Sequence, residues 1–169
     1  TMALVKISKG ADIRHEYTDG VSRVPVLEGA YKDAAVERIS LQPGAELSPA
    51  LYSKTEHNQV FLITAGKGYI ATPRRVFNIT EVSVFVPDFD KEQFTFHCAA
   101  DAKECMEIVH FVTELNDYDK TCLKEAHLTL PRFRGVSQAW HYKEDFTGAD
   151  IQQMMMIEHR NLGRLSMGA

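Results

Sequence analysis

Cysteine is scarce in this chain of 169 residues: Cys98, Cys105 and Cys122 are the only three, and none sits in a CxxC pair. An odd number without close pairs argues against a disulfide framework or a zinc ribbon and suits reduced thiols in a cytoplasmic protein. Long apolar runs are also missing. No stretch approaches the roughly 18 apolar residues of a spanning helix, and residues 1–10 lack the apolar segment of a secretory signal, so neither membrane residence nor secretion is expected. Positive charge is not in excess. Nineteen Lys and Arg face 23 Asp and Glu, a net charge of −4, which leaves no global field to gather nucleic acid. Internal repeats, low-complexity tracts and Pro/Ser-rich linkers are absent too. What remains, 44% hydrophobic and 25% charged residues, is the composition of one folded globular domain.

From Val36 to about Thr113 the pattern is that of short strands divided by turn residues. Val36 to Leu41 alternates apolar and polar residues and is broken by Pro43-Gly44. Gln59 to Thr64 is a β-branched and aromatic run that ends at Ala65-Gly66-Lys67-Gly68; Tyr69 to Thr72 resumes it, which predicts two strands around a glycine-containing hairpin. Glu81 to Val86, Gln93 to His97 and Cys105 to Val112 complete the series, and Asn78-Ile79-Thr80 reads as a turn between strands. A spacing of about ten residues per strand points to an antiparallel sandwich or barrel. Residues 1–35 read as an N-terminal extension with Val24 to Leu27 extended. Residues 114–169 read as a C-terminal part in which Asn116 or Asp117 caps a short helix through Ala126. Further on, Trp140-His141-Tyr142 and Arg132-Phe133-Arg134 read as packing or interface, and the Met154 to Met156 cluster as adaptable core or interface filler.

Leu41-Gln42-Pro43-Gly44, then Val60-Phe61-Leu62-Ile63-Thr64-Ala65-Gly66-Lys67-Gly68, then Val84-Phe85-Val86-Pro87, resembles the cupin superfamily over about residues 36–113. The resemblance implies an all-β fold, a cupin-like double-stranded β-helix barrel, with the N-terminal extension and a short C-terminal helix or arm around it. Cupin chemistry usually rests on a metal held by two His and a Glu in a first motif and a His in a second. Laid on this chain, the first motif puts Gln59 at the Glu position and Ser53 and Thr55, or Tyr52 and Lys54, at the His pair. In the second motif only Pro87 matches, and Glu92 stands at the His position.

Ser, Thr and Gln are weak neutral metal ligands, so no cofactor is expected; the alternative is a divalent transition metal held by His57, Gln59, Glu92 and His97. Strict alternation opposes that set. If Gln59 faces the interior, His57 shares its face, while Glu92, Phe94 and Phe96 share a face that His97 does not. The leading expectation is therefore a small-molecule-binding or structural cupin-like barrel. Its pocket would be lined by Tyr52, Ser53, Thr55, Gln59, Phe94 and His110, with one of the adjacent Arg74 and Arg75, taken as Arg75, turned inward to clamp an anion. The alternative is a metal-dependent cupin enzyme of isomerase, lyase, hydrolase or dioxygenase type, with Glu92 and His57 as its catalytic groups. The expected partners are a small-molecule ligand and a second copy in a homodimer. The segment from Leu162 to Ala169, similar to Val36 to Gly44, reads as either the start of a second barrel unit or a strand that pairs with a neighbour.

Overall fold

The computed structural model describes residues 7–88, 92–125 and 130–137; Trp140-His141-Tyr142, the Met154 to Met156 cluster and the segment from Leu162 lie outside the described residues. Two facing antiparallel sheets make the fold. The larger has β1 (Val21–Val26), β2 (Ala34–Leu41), β9 (Met106–Glu114), β4 (His57–Ala65), β7 (Ser83–Val86) and β10 (Arg132–Gly135) side by side in that order. The smaller has β3 (Glu46–Leu47), β8 (Thr95–Cys98), β5 (Gly68–Ala71) and β6 (Val76–Ile79). A short helix, α1 (Asp117–Glu125), follows β9. Its first turn is capped by Asn116, whose Oδ1 accepts the Asp119 N–H at 2.8 Å.

The period of two in these strands decides which side chains meet between the sheets. Ile39 and Leu41 of β2, Phe61 and Ile63 of β4, Phe85 of β7, and Met106 and Ile108 of β9 point inward from the larger sheet. Leu47, Ile70, Phe77, Ile79, Phe96 and Cys98 meet them from the smaller one, joined by Phe94 just before β8. Phe61 lies at the centre, with the ring centroids of Phe96, Phe94 and Phe85 4.9, 5.5 and 6.4 Å away. On the outer face of the larger sheet the polar positions are closed by a strap: the Tyr17 hydroxyl meets Ser40 Oγ at 2.8 Å, Ser40 donates to Glu107 Oε1 at 2.8 Å, and His15 Nδ1 meets Ser22 Oγ at 2.8 Å. That strap explains why Ser22 and Ser40 are buried without being stranded.

Three sequence expectations are corrected here. The run from Gln59 to Thr72 is not a hydrogen-bonded hairpin: β4 pairs with β7 and β9 while β5 pairs with β6 and β8, so the chain crosses from one sheet to the other at Ala65 to Gly68. Gly66 turns this corner with φ near +91°, and a Cβ on Gly68 would run into the His97 carbonyl. The segment read as an N-terminal extension supplies an edge strand, because β1 pairs along its whole length with β2. Asn78 and Ile79, read as a turn, end β6.

Candidate functional site

Four adjacent strands of the larger sheet, β1, β2, β9 and β4, carry a row of polar side chains across their inner face near one end of the apolar core. Glu37 stands directly opposite His110 in the β2–β9 ladder, Arg23 is its diagonal neighbour on β1, and Gln59 is the diagonal neighbour of His110 on β4. These residues are inward for the same reason as Ile39, Ile108 and Phe61, which lie two positions further along the same faces.

The row is continuously bonded. Arg23 donates through Nε and Nη2 to the two oxygens of Glu37, at 3.2 and 2.5 Å. His110 Nδ1 lies 2.9 Å from Glu37 Oε1, and its Nε2 lies 2.9 Å from Gln59 Oε1. The imidazole is stacked flat on Phe61, centroids 4.1 Å apart with 4° between the planes. Burial alone would raise the Glu37 carboxyl, but the hydrogen bonds from His110 and Arg23 and the guanidinium charge outweigh it and hold the group at about 2. Glu37 is therefore an ion at neutral pH.

Gln59 ends the row, and its side chain is wholly buried. Its Oε1 faces His110 Nε2, while Glu37 Oε1 faces Nδ1 of the same ring, and Gln59 Nε2 has no partner. One polar atom of a buried amide thus goes unbonded, which costs about 1–3 kcal/mol.

Above the row opens a cavity of about 280 Å³. Its polar wall is Arg23, Glu28, Glu37, His110 and Tyr52, and Pro25, Val26, Leu27, Ala35, Val36 and Val112 supply apolar surface. This is slightly below the range for drug-sized ligands. The Tyr52 ring lies 5.4 Å from that of His57, whose Nδ1 is buried with no partner.

The structure brings together only part of the residue set read from the sequence. Tyr52 and His110 line the cavity, Gln59 supports His110, and His57 packs on Tyr52. Ser53 and Thr55 lie in the preceding loop, hydroxyls 2.8 Å apart, where the Ser53 carbonyl accepts the His57 N–H at 2.7 Å. Phe94 is not a pocket residue; it is buried against Phe61, Phe85 and Phe96. Arg75 does not turn inward either: it is exposed before β6 with its guanidinium 4.9 Å above the Phe77 ring. Glu92 is buried and bonded to the exposed Arg74. His97 faces outward from β8, stacked on Tyr69 at 4.4 Å with Glu46 Oε2 3.4 Å from its Nδ1.

His57, Gln59, Glu92 and His97 therefore do not converge, and among the described residues no group of three or more His, Cys, Asp or Glu is placed to hold a metal. Nor does the row fit one. Its histidine has both nitrogens engaged, its carboxylate is clamped by Arg23, and its remaining member is a neutral amide with weak donor atoms.

Arg23 and Glu37 were missed by sequence reasoning. Their signal is a charge at an inward position of an alternating strand, VSRVPV for β1 and AAVERISL for β2. It becomes legible only once the two strands are known to be neighbours.

No protein-family model matches the sequence, and no curated protein is similar to it. Solved structures are similar in fold. KdgF from Halomonas sp. superposes with a TM-score of 0.54 at 11% identity, over 68% of this chain and 98% of that one. A predicted oxalate decarboxylase from Thermotoga maritima gives 0.52 at 16%, over 65% and 100%. Ectoine synthase from P. lautus gives 0.50 at 14%, over 76% and 90%.

Proposed function

With a cupin fold as the premise, we propose that this barrel binds a small polar molecule in the cavity above the Arg23–Glu37–His110–Gln59 row, without a metal at its centre. The observation that carries the reading is the row itself. A barrel that served structure alone would fill these inward positions with apolar residues, as it does two positions further along each strand, and would avoid a buried amide with an unbonded atom. A preorganised polar floor under apolar walls is the composition of a ligand site.

The test is a titration followed by NMR at the Tyr52 and His110 signals, using a panel of small hydroxy acids, polyols, amines, amides and aliphatic acids at millimolar concentration. The expected result is saturable change with at least one compound, lost in Tyr52→Ala. Silence of both signals across the panel would overturn the reading.

A second reading, an acid–base enzyme, is favoured by one observation: the Glu37 carboxylate orients the His110 ring at the cavity wall. This moves the catalytic pair from Glu92 and His57 to Glu37 and His110. Because Gln59 occupies Nε2, proton transfer to a ligand would require that bond to open. Turnover of a bound compound that is lost in Glu37→Gln while binding persists would establish this reading, and binding without turnover would leave the first.

A further inference from the structure

The Arg23 guanidinium has two edges, and the structure uses one. Nε and Nη2 form the edge clamped to Glu37. The other edge, Nη1 with the second hydrogen of Nη2, has no partner among the described residues, and the side chain lines the cavity with 41% of its surface exposed. A guanidinium fork matches the two oxygens of a carboxylate, so a second planar anion can dock on the open edge while Glu37 holds the first. Tyr52 also lines the cavity, and its hydroxyl, with no hydrogen-bond partner among the described residues, can supply a third donor.

The charges around this edge permit such a ligand. Both oxygens of Glu37 are already taken, by Arg23 on one side and by Arg23 and His110 on the other. Glu28 contributes a further carboxylate to the wall, but it is exposed and screened by water and salt. The remaining walls are apolar: Pro25, Val26, Ala35 and Val112. Free donors at one side, apolar surface at the other and a volume of about 280 Å³ describe a complement to a short carboxylic acid with a compact aliphatic body.

We infer that the cavity takes a small aliphatic monocarboxylate whose carboxylate docks on the open edge of Arg23 and the Tyr52 hydroxyl. This rests on the ligand-binding reading of the same cavity and adds the chemical class. The probe pair is 3-methylbutanoate and 3-methylbutanamide, nearly identical in shape and different in charge, each titrated into the wild-type protein and into Arg23→Lys while the Tyr52 and His110 NMR signals are followed. Lys keeps the positive charge and loses the fork.

The expected result is that the acid binds at least about tenfold more tightly than the amide, and that Arg23→Lys weakens the acid by about tenfold, the order of one charge-assisted hydrogen bond. The amide should be little affected by that substitution. Thermal unfolding of the variant guards against misreading a folding defect, and Arg23→Gln, which keeps two donors without charge, gives an independent second variant. Equal binding of acid and amide, or acid binding unchanged in both variants, would overturn the carboxylate while leaving the cavity a ligand site. Response to polyols or amines with none to the acid would do the same. No response to any compound in the panel would overturn the binding reading itself.

Discussion

Glu37→Gln tests the row through its energetics, independently of any ligand. In the folded chain the carboxyl titrates at about 2 against an ordinary 4.5, and its side chain is 17% exposed, so solvent screening does not erase the effect. At about 1.36 kcal/mol per pH unit, that depression contributes about 3 kcal/mol of stability at neutral pH. The sign follows from proton counting. Between pH 4.5 and about 2 the unfolded chain carries a proton on this group that the folded chain does not, so the contribution is complete above about pH 5, shrinks as pH falls, and is gone below about pH 2. Linkage gives a loss of about 2 kcal/mol of it between about pH 6 and about pH 3. Urea unfolding of wild type and Glu37→Gln at those two pH values isolates this group, since the other carboxylates titrate alike in both proteins. The variant is expected to be about 2–3 kcal/mol less stable at the higher pH, with the gap about 2 kcal/mol smaller at the lower. A gap that stays constant with pH, or is absent at pH 6, would refute the assignment of Glu37 to a bonded, partly buried position.

Phe61→Ala removes the ring at the centre of the aromatic cluster and the surface on which His110 is stacked; a loss of about 3–5 kcal/mol in urea unfolding is expected, and near-wild-type stability would place Phe61 outside the core. Gly68→Ala should abolish soluble folded protein, because the new methyl collides with the His97 backbone, whereas Gly44→Ala meets nothing within 4 Å and bears only the strain of φ near +84°, expected at about 1–2 kcal/mol by thermal melts; equal effects would contradict the sheet-to-sheet corner.

Much of the fold was legible in the sequence where a strand carries its own alternation. The runs beginning at Val36 and Gln59 fall within β2 and β4, the run from Cys105 enters β9 at Met106, and the inward placement of Phe94 and Phe96 with His97 outside follows from parity alone. Pairing was less legible. Ala65 to Gly68 has the residues of a tight hairpin, and nothing local distinguishes that turn from a corner between sheets; the difference lies in β8 and β9, some thirty to forty residues later. The site suffered from the same limit. His110 and Tyr52 were recognisable as polar groups near apolar strands, but Arg23 and Glu37 become a site only beside each other and His110. Motif alignment instead drew attention to Glu92, whose carboxylate is bonded to Arg74.

The row across the larger sheet joins residues 14, 73 and 51 positions apart in the chain, at its Arg23–Glu37, Glu37–His110 and His110–Gln59 contacts. No single loop or hairpin carries the cavity floor, so it comes into being late, when the most distant strands have found their register. Extra residues in the loops between strands leave that register untouched. One residue inserted within β2 or β9 would turn the polar partner beyond it to the opposite face and exchange it for the strap side of the sheet. The floor thus records the closure of the whole barrel, and a compound that binds it would act as a reporter, and a stabiliser, of the completed fold.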